Sequence, residues 1–278
     1  MVIKAVVVLY NPKDEFLDRY KEMAPFFDEI YFIDNSTSPN GKLNEELKKI
    51  KNIRYLSLGG NKGISYALKE GMDQATTTET DYVLTMDQDS RFPVEDIEEV
   101  RKILADNIDS QYGIISVNYN SEETTKEIRE VSWWITSGNF VNVKAYKSLE
   151  QGFNPDLFID GVDQDLCHSF IKSGYKIGLI PGINLKHQIG NPVYHRILWK
   201  KFSTFNYPLF RYYYLFRNYY YLHKKDPKYY KKEFFKIKYL QPFKILFYED
   251  NKKAKFRAAK LGKKDAKKGI LGPCQYQL

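Results

Sequence analysis

Cysteine is nearly absent from this chain. Cys167 and Cys274 are the only two in 278 residues, and they stand far apart. Neither zinc-ligand nor paired redox spacing is available to them, which excludes a disulfide-framed or zinc-stapled fold and fits a reducing compartment. Long apolar runs are missing too: no uninterrupted stretch approaches the length needed to cross a bilayer. The apolar start, Val2 to Tyr10, is short and lacks the basic opening and small-residue cleavage site of a leader, so it reads as a strand. The chain is therefore expected to stay on the cytoplasmic side. Acidic residues are scarce in one region only. From Arg196 to Leu278 there are 22 Lys and Arg against 5 Asp and Glu, a net +17, while the part before it carries 21 against 30, a net −9. A globular acidic part therefore carries a basic tail, which seeks a polyanion: nucleic acid or an anionic membrane surface. What the chain has in abundance is aromatic residues, 16% of the total with 23 Tyr and 18 Phe, which excludes a disordered composition.

The first two hundred residues alternate strand and helix signals. Val2–Leu9 is β-branched and stops at Tyr10-Asn11-Pro12, as a buried parallel strand does. Helical spacing follows over 15–27, a strand over 29–33, a helix over 43–50, a strand over 53–57 and a glycine-rich turn over 58–63. A helix over 64–74 then leads into a strand at Tyr82–Met86. Such alternation predicts an α/β fold, a Rossmann-like, mostly parallel sheet flanked by helices. Ligands of such sheets sit beyond the carboxyl ends of the strands. Asn11, Asp34, Asn61 and Asp87 fall at those ends and should converge. Downstream, the pattern predicts a helix over 94–104, strands over 112–119 and 133–135, a tight turn at Ser137-Gly138-Asn139, a helix over 158–173 closed by Gly174, and strands over 175–180 and 183–187 parted by a Pro181-Gly182 turn.

Two acidic clusters stand out. Asp87-Gln88-Asp89-Ser90 ends the strand at 82–86. Strand side chains alternate, so Asp87 and Asp89 lean to one side. Two hard oxygen ligands there suit Mg2+ or Mn2+, which grips a diphosphate; a polar loop after a strand would read the same way. The second cluster, Asp160-Gly161-Val162-Asp163-Gln164-Asp165, opens a helix. It reads either as a solvated helix start favoured by the macrodipole or as the seat of a general base tuned by its acidic neighbours.

Taken in order, Val8-Leu9-Tyr10-Asn11-Pro12, Ile33-Asp34-Asn35-Ser36, Asn61-Lys62-Gly63-Ile64, Met86-Asp87-Gln88-Asp89-Ser90, Ser137-Gly138-Asn139 and Phe158-Ile159-Asp160-Gly161-Val162-Asp163 resemble the inverting family 2 glycosyltransferases of the GT-A fold, within them the bacterial rhamnosyltransferase-like branch. The resemblance runs from Val2 to about Lys225. It implies a GT-A catalytic domain over 1–200 and a helical, basic-aromatic extension over 201–278. It implies that Tyr10, Asn11 and Asp34 line the base and ribose pocket, that Asn61 and Gly63 admit the nucleotide, and that Asp87 and Asp89 hold ribose and metal. Asp163 stands where the family places its catalytic base, with Asp160 or Asp165 next in line. His187 corresponds to a metal ligand often found there, although a capping or core histidine fits the same position. Trp133 and Trp134 offer stacking faces to acceptor sugars, one of the pair facing the cleft, and Ser137, Gly138, Asn139 and Asp160 complete the acceptor set. One departure stands out: the family helix often continues Trp-Cys-x-Arg, whereas Leu166-Cys167-His168-Ser169 stands here.

The tail mixes aromatic and basic residues, as in Phe234-Phe235-Lys236-Ile237-Lys238-Tyr239-Leu240 and Phe243-Lys244-Ile245-Leu246-Phe247-Tyr248. That pattern suits an in-plane helix on an anionic bilayer; helices packed back on the domain, or an RNA surface, would share part of it, though no nucleic-acid module motif is present. The expected protein is a metal-dependent transferase, peripheral on the inner face of the plasma membrane. It would move rhamnose from dTDP-rhamnose, with inversion, onto a lipid-linked glycan in surface polysaccharide synthesis. A UDP-galactofuranose or UDP-hexose donor is the alternative, and a non-catalytic nucleotide-sugar-binding membrane tether is the alternative of another class.

Overall fold

The computed structural model describes residues 1–13, 16–186, 192–197 and 199–278. The chain forms two compact units: Met1–Pro155 with Val162–Gln188, and Asp156–Gly161 with Ile189–Leu278. The second therefore takes in a short segment excised from the middle of the first, as well as residues before the expected boundary at 200/201.

The first unit is built on β1 (Ile3–Leu9), α1 (Phe16–Met23), β2 (Glu29–Asp34), α2 (Gly41–Lys48), β3 (Ile53–Ser57), α3 (Ile64–Ala75), β4 (Tyr82–Asp87), α4 (Ile97–Asp106), β5 (Tyr112–Tyr119), β6 (Arg129–Val131), β7 (Asn139–Asn142), α5 (Val143–Lys147), α6 (Val162–Lys172) and β8 (Lys176–Leu185). The sheet order is β3-β2-β1-β4-β7-β5-β8-β6. β3, β2, β1 and β4 run parallel, β7 runs antiparallel to β4 and β5, and β6 is an antiparallel edge on β8. All seven residues of β1 are buried, which explains why it is mostly Val, Ile and Leu in place of alternation. Its one charge, Lys4, sits inside because its ammonium donates to the Ala75 carbonyl at 3.0 Å and the Thr78 hydroxyl at 2.6 Å and meets Glu29 at 3.4 Å. α3 lies close over β1 and β2 where Gly71 has no side chain; a Cβ there would overlap Val6.

Three expectations differ from the structure. The stretch expected as a strand at 133–135 is irregular, and its Trp134 indole N–H bonds the Val117 carbonyl. Pro181-Gly182 is no turn: β8 runs through it, and the pairing with β5 shifts register between Val117 and Asn118. The helix expected from 158 starts at Val162, since Phe158, Asp160 and Gly161 have φ of 64°, 67° and 82°, outside the helical region.

The second unit holds the hairpin β9 (Val193–Ile197) and β10 (Lys200–Thr204), then α7 (Leu209–Lys225), α8 (Lys231–Phe235), a π-helical turn (Lys236–Leu240), α9 (Gln241–Tyr248) and α10 (Lys252–Lys268). α10 packs on α7, and Gly262 lets the two backbones meet at Tyr213. Around them Tyr212, Tyr213, Tyr214, Phe216, Ile245, Ala258 and Ala259 form a core. A buried ion pair, Lys255 to Glu249 at 3.0 Å, is completed by the Tyr212 hydroxyl donating to the same carboxylate.

Candidate active site

The carboxyl ends of four neighbouring parallel strands meet in register. Leu9 lies beside Asp34, Asp34 beside Ser57, and Val8 beside Asp87. The segments leaving these ends are tied to one another by side chains. The Tyr10 N–H donates to Gln88 Oε1 at 2.8 Å, and Gln88 Nε2 returns a bond to the Tyr10 carbonyl at 2.9 Å. The middle residue of Asp87-Gln88-Asp89 thus binds β1 to β4, while Asp89 stands exposed beside it. Asn11, at φ 48°, donates its N–H to Ser36 Oγ at 2.7 Å.

Asp34 is buried, and both its oxygens accept: Oδ1 from the Ser36 N–H at 2.8 Å, Oδ2 from the Tyr55 hydroxyl at 2.5 Å. Burial first, then this carboxylate, pushes the Tyr55 phenol far above its ordinary range, so it remains a donor. Asn35 bridges to the glycine-rich turn: its Oδ1 accepts from the Lys62 N–H at 2.7 Å, and its Nδ2 donates to Asn61 Oδ1 at 3.2 Å. Asn61 Oδ1 also accepts from the Gly63 N–H at 3.0 Å, and Gly63, at φ 91°, starts α3 without a side-chain cap. Sequence reasoning assigned no role to Asn35 or Tyr55. The Ile33-Asp34-Asn35-Ser36 motif contained the first, while nothing local marked the second.

The two acidic clusters come together at the turn before β7. Thr136 donates its N–H to Asp163 Oδ1 at 2.9 Å, and its hydroxyl donates to the same oxygen. The next residue, Ser137, accepts from the Asp87 N–H at 3.2 Å and shares a hydrogen bond with Ser90 Oγ at 2.6 Å. Asp87 and Asp163 therefore hang from consecutive residues. The turn is fixed from below, where the Thr85 hydroxyl donates to the Thr136 carbonyl at 2.7 Å and the Gly138 N–H donates to the Thr85 carbonyl at 2.9 Å. Gly138 has φ 90°, and a Cβ there would come within 2.9 Å of Val117. Ser137, Gly138 and Asn139 are buried, and Asn139 Oδ1 accepts from Ser116 Oγ at 2.7 Å; the turn is a brace between the acidic clusters. Trp134 donates its indole N–H to the Val117 carbonyl at 3.1 Å and lies 5.5 Å from the Tyr119 ring; both Trp133 and Trp134 are half-buried.

The three aspartates near the start of α6 differ in surroundings. Asp165 is 1% exposed. Asp160 is paired with Arg211 at 2.5 Å. Asp163 is partly open to solvent and oriented by Thr136, which makes it the one of the three best placed to receive a substrate proton. At Leu166-Cys167-His168-Ser169 the helix is held by burial: Leu166, Cys167 and His168 are inside, and burial pushes the Cys167 thiol up to about 12.

Asp87 closes β4 and Asp89 lies in the turn that follows, so strand alternation does not set the two on one side as expected. Asp87 and Asp89 supply carboxylates; among the described residues no group of three or more His, Cys, Asp or Glu side chains forms a cage. His187 lies outside the described residues. Lys186 pairs with Arg91 through backbone bonds of 2.8 and 3.0 Å. Two carboxylates fit an ion that keeps waters and takes its remaining ligands from a diphosphate.

The second unit holds the segment before α6 in a conformation that bulky residues rarely adopt. Phe158 and Asp160 both lie in the left-handed region, each at about 1–3 kcal/mol. Asn218 Nδ2 contacts the carbonyls of Leu157, Ile159 and Asp160 at 2.7–2.8 Å. Arg217 reaches the carbonyls of Asp156 and Leu157 at 2.9 and 3.0 Å, and Phe158 stacks on Tyr214 at 4.6 Å. Both polar side chains are fully buried.

The Glycosyl transferase family 2 model matches residues 5–159. A curated relative, the dTDP-rhamnosyl transferase RfbF of Shigella flexneri, is 26% identical over 213 residues, 68% of this chain and 70% of its own. Among solved structures, S. aureus TarS 1–349 aligns with a TM-score of 0.59 at 13% identity over 96% of this chain and 81% of that one. GalNAc-T7 with UDP, GalNAc and Mn2+ aligns with a TM-score of 0.64 at 13% identity, over 97% of this chain and 56% of that one. In a longer TarS crystal structure, the alignment spans 37% of that chain.

Removing the buried Asn218 amide should leave carbonyls of the strained segment without a donor. Asn218→Leu is expected to destabilise the protein by about 2–4 kcal/mol, read as a lower urea midpoint. A midpoint equal to the wild type would show that these bonds do not hold the segment.

Proposed function

Because the chain belongs to glycosyl transferase family 2 and has the GT-A fold, we propose that it transfers a sugar, with inversion, from a nucleotide diphosphate donor to a lipid-linked glycan in bacterial surface polysaccharide synthesis. The observation that carries this reading is that the Asp163 carboxylate and the Asp87 backbone N–H bond to consecutive residues of one brace. In this reading the base and a diphosphate-holding carboxylate would flank one reacting centre. The donor we propose is dTDP-rhamnose, supported by the likeness to the Shigella enzyme. A UDP-sugar is the second reading, supported by the TarS crystal structures with UDP and UDP-GlcNAc.

In the proposed mechanism, Asn61 and Gly63 let the nucleotide approach the start of α3, with Tyr10, Asn11 and Asp34 around base and ribose. Asp87 and Asp89 would hold Mg2+ or Mn2+, which when bound supplies positive charge to the departing diphosphate. Asp163 accepts the proton of the acceptor hydroxyl as that oxygen attacks the anomeric carbon from the face opposite the leaving group. The C–O bond to the diphosphate breaks in the same displacement, so no covalent sugar–enzyme intermediate forms and the anomeric configuration inverts. Thr136 keeps one Asp163 oxygen occupied, which fixes the carboxylate's rotation. Trp133 is the proposed stacking face for an acceptor ring. The basic tail would bring the enzyme to the inner face of the plasma membrane, where a lipid-linked acceptor lies.

Asp163→Asn is expected to lower kcat by about 10²–10⁴-fold while donor affinity stays within about twofold, measured by single-turnover transfer and calorimetric titration. Near-normal turnover would move the base elsewhere. A panel of nucleotide sugars, assayed with and without a chelator, should show dTDP-rhamnose consumed and the reaction stopped by metal removal. Consumption of a UDP-sugar alone would replace the donor, and binding without turnover of any donor would favour a non-catalytic tether.

A further inference from the structure

Residues 231–248 form one nearly continuous helix. α8, the π turn and α9 follow without a break, and the junction residues Phe235, Lys236, Leu240 and Gln241 all keep right-handed helical dihedrals. One face packs on its own unit. Phe234 stacks on His223 at 3.9 Å and meets Tyr220 at 4.9 Å, and Ile245 is fully buried. Lys244 donates to the Ser203 carbonyl at 2.8 Å.

The other face is apolar and open. Phe235, Tyr239, Leu240, Phe243, Leu246 and Phe247 are between 42% and 59% exposed. Their rings touch in pairs, Phe235 with Tyr239 at 4.9 Å and Phe243 with Phe247 at 4.8 Å. A four-residue spacing drifts around an α-helix, and the wider π turn offsets that drift, keeping 235, 239, 243 and 247 in one stripe. Lys231, Lys232, Lys236 and Lys238 are exposed on the same helix, whose one acid, Glu233, is paired with Lys236 at 3.2 Å. No described helix is long and apolar enough to cross a membrane.

We propose that this face docks in the plane of an anionic bilayer, its aromatic and leucine side chains at headgroup depth and its lysines on lipid phosphates. The inference rests on the membrane-acceptor reading above and gives it a surface. Charge and shape favour lipid over the other occupants. Nucleic acid would use the lysines and stack on some rings but would leave Leu240 and Leu246 without a partner. A second copy of the chain would set lysines against lysines across a twofold axis. Lipid satisfies both halves of the face at once.

The test uses the full chain with phosphatidylcholine vesicles, plain or with about three parts in ten phosphatidylglycerol. The wild type should float with the anionic vesicles and stay largely behind with the neutral ones. Phe243→Ser with Leu246→Ser and Phe247→Ser should weaken anionic-vesicle binding by about tenfold or more. Lys231→Gln with Lys232→Gln should weaken it by roughly fivefold per lysine. Both variants should keep wild-type melting and soluble donor turnover, which shows that they fold. Absence of wild-type flotation, variants that bind like the wild type, or a stripe variant that only converts a dimer to a monomer would each overturn the proposal. So would a lysine variant that loses RNA affinity while vesicle binding is unchanged. A wild type that binds vesicles but turns over no donor would instead sink the functional reading and leave this surface standing.

Discussion

The site depends on one short piece of backbone, Thr136-Ser137. Thr136 fixes the carboxylate of Asp163, and Ser137 fixes the end of β4 at Asp87. Two acidic clusters 76 positions apart in the chain are thereby placed by adjacent residues. Thr136 supplies two donors to the Asp163 carboxylate, while Ser137 accepts from the Asp87 backbone N–H and so fixes where that residue leaves β4. The brace is itself buried and bonded to Thr85, so its position is inherited from the sheet.

The parallel half of the sheet was readable because burial on both faces leaves an unmistakable residue choice, as in Ile3–Leu9, and because Asp34, Asn61 and Asp87 follow strands or open helices at punctuated positions. Four features were not readable. Trp133–Ile135 has the apolar, β-branched composition of a strand, yet the Trp134 indole and the Thr136 N–H find partners in Val117 and Asp163 instead of a neighbouring strand. Pro181-Gly182 has the composition of a turn, but on β8 a proline is accommodated where the pairing with β5 slips register. Phe158 sits in a left-handed conformation that its identity argues against, and its segment is held by distant Asn218 and Arg217. Tyr55 lies in β3, and its bond to Asp34 is set by strand pairing that no local pattern announces.

The C-terminal unit carries two different uses of aromatic residues. Tyr212, Tyr213, Tyr214 and Phe216 on α7 are core, with hydroxyls satisfied by Glu249, Asp265 and the Cys274 N–H. The aromatic residues on the outer face of 231–248 have no such burial. Composition alone cannot separate the two, because the same Tyr and Phe with interspersed Lys describe both. The helix repeat separates them once the packed face is known.

The most direct test of the central claim is Mn2+ binding followed by electron paramagnetic resonance in the presence of dTDP. The account predicts a bound-ion signal that needs the nucleotide diphosphate, disappears in Asp89→Ala and is retained in Asp163→Asn. A signal that survives loss of Asp89, or that vanishes with Asp163, would contradict the separation of ion holder and base on which the mechanism stands.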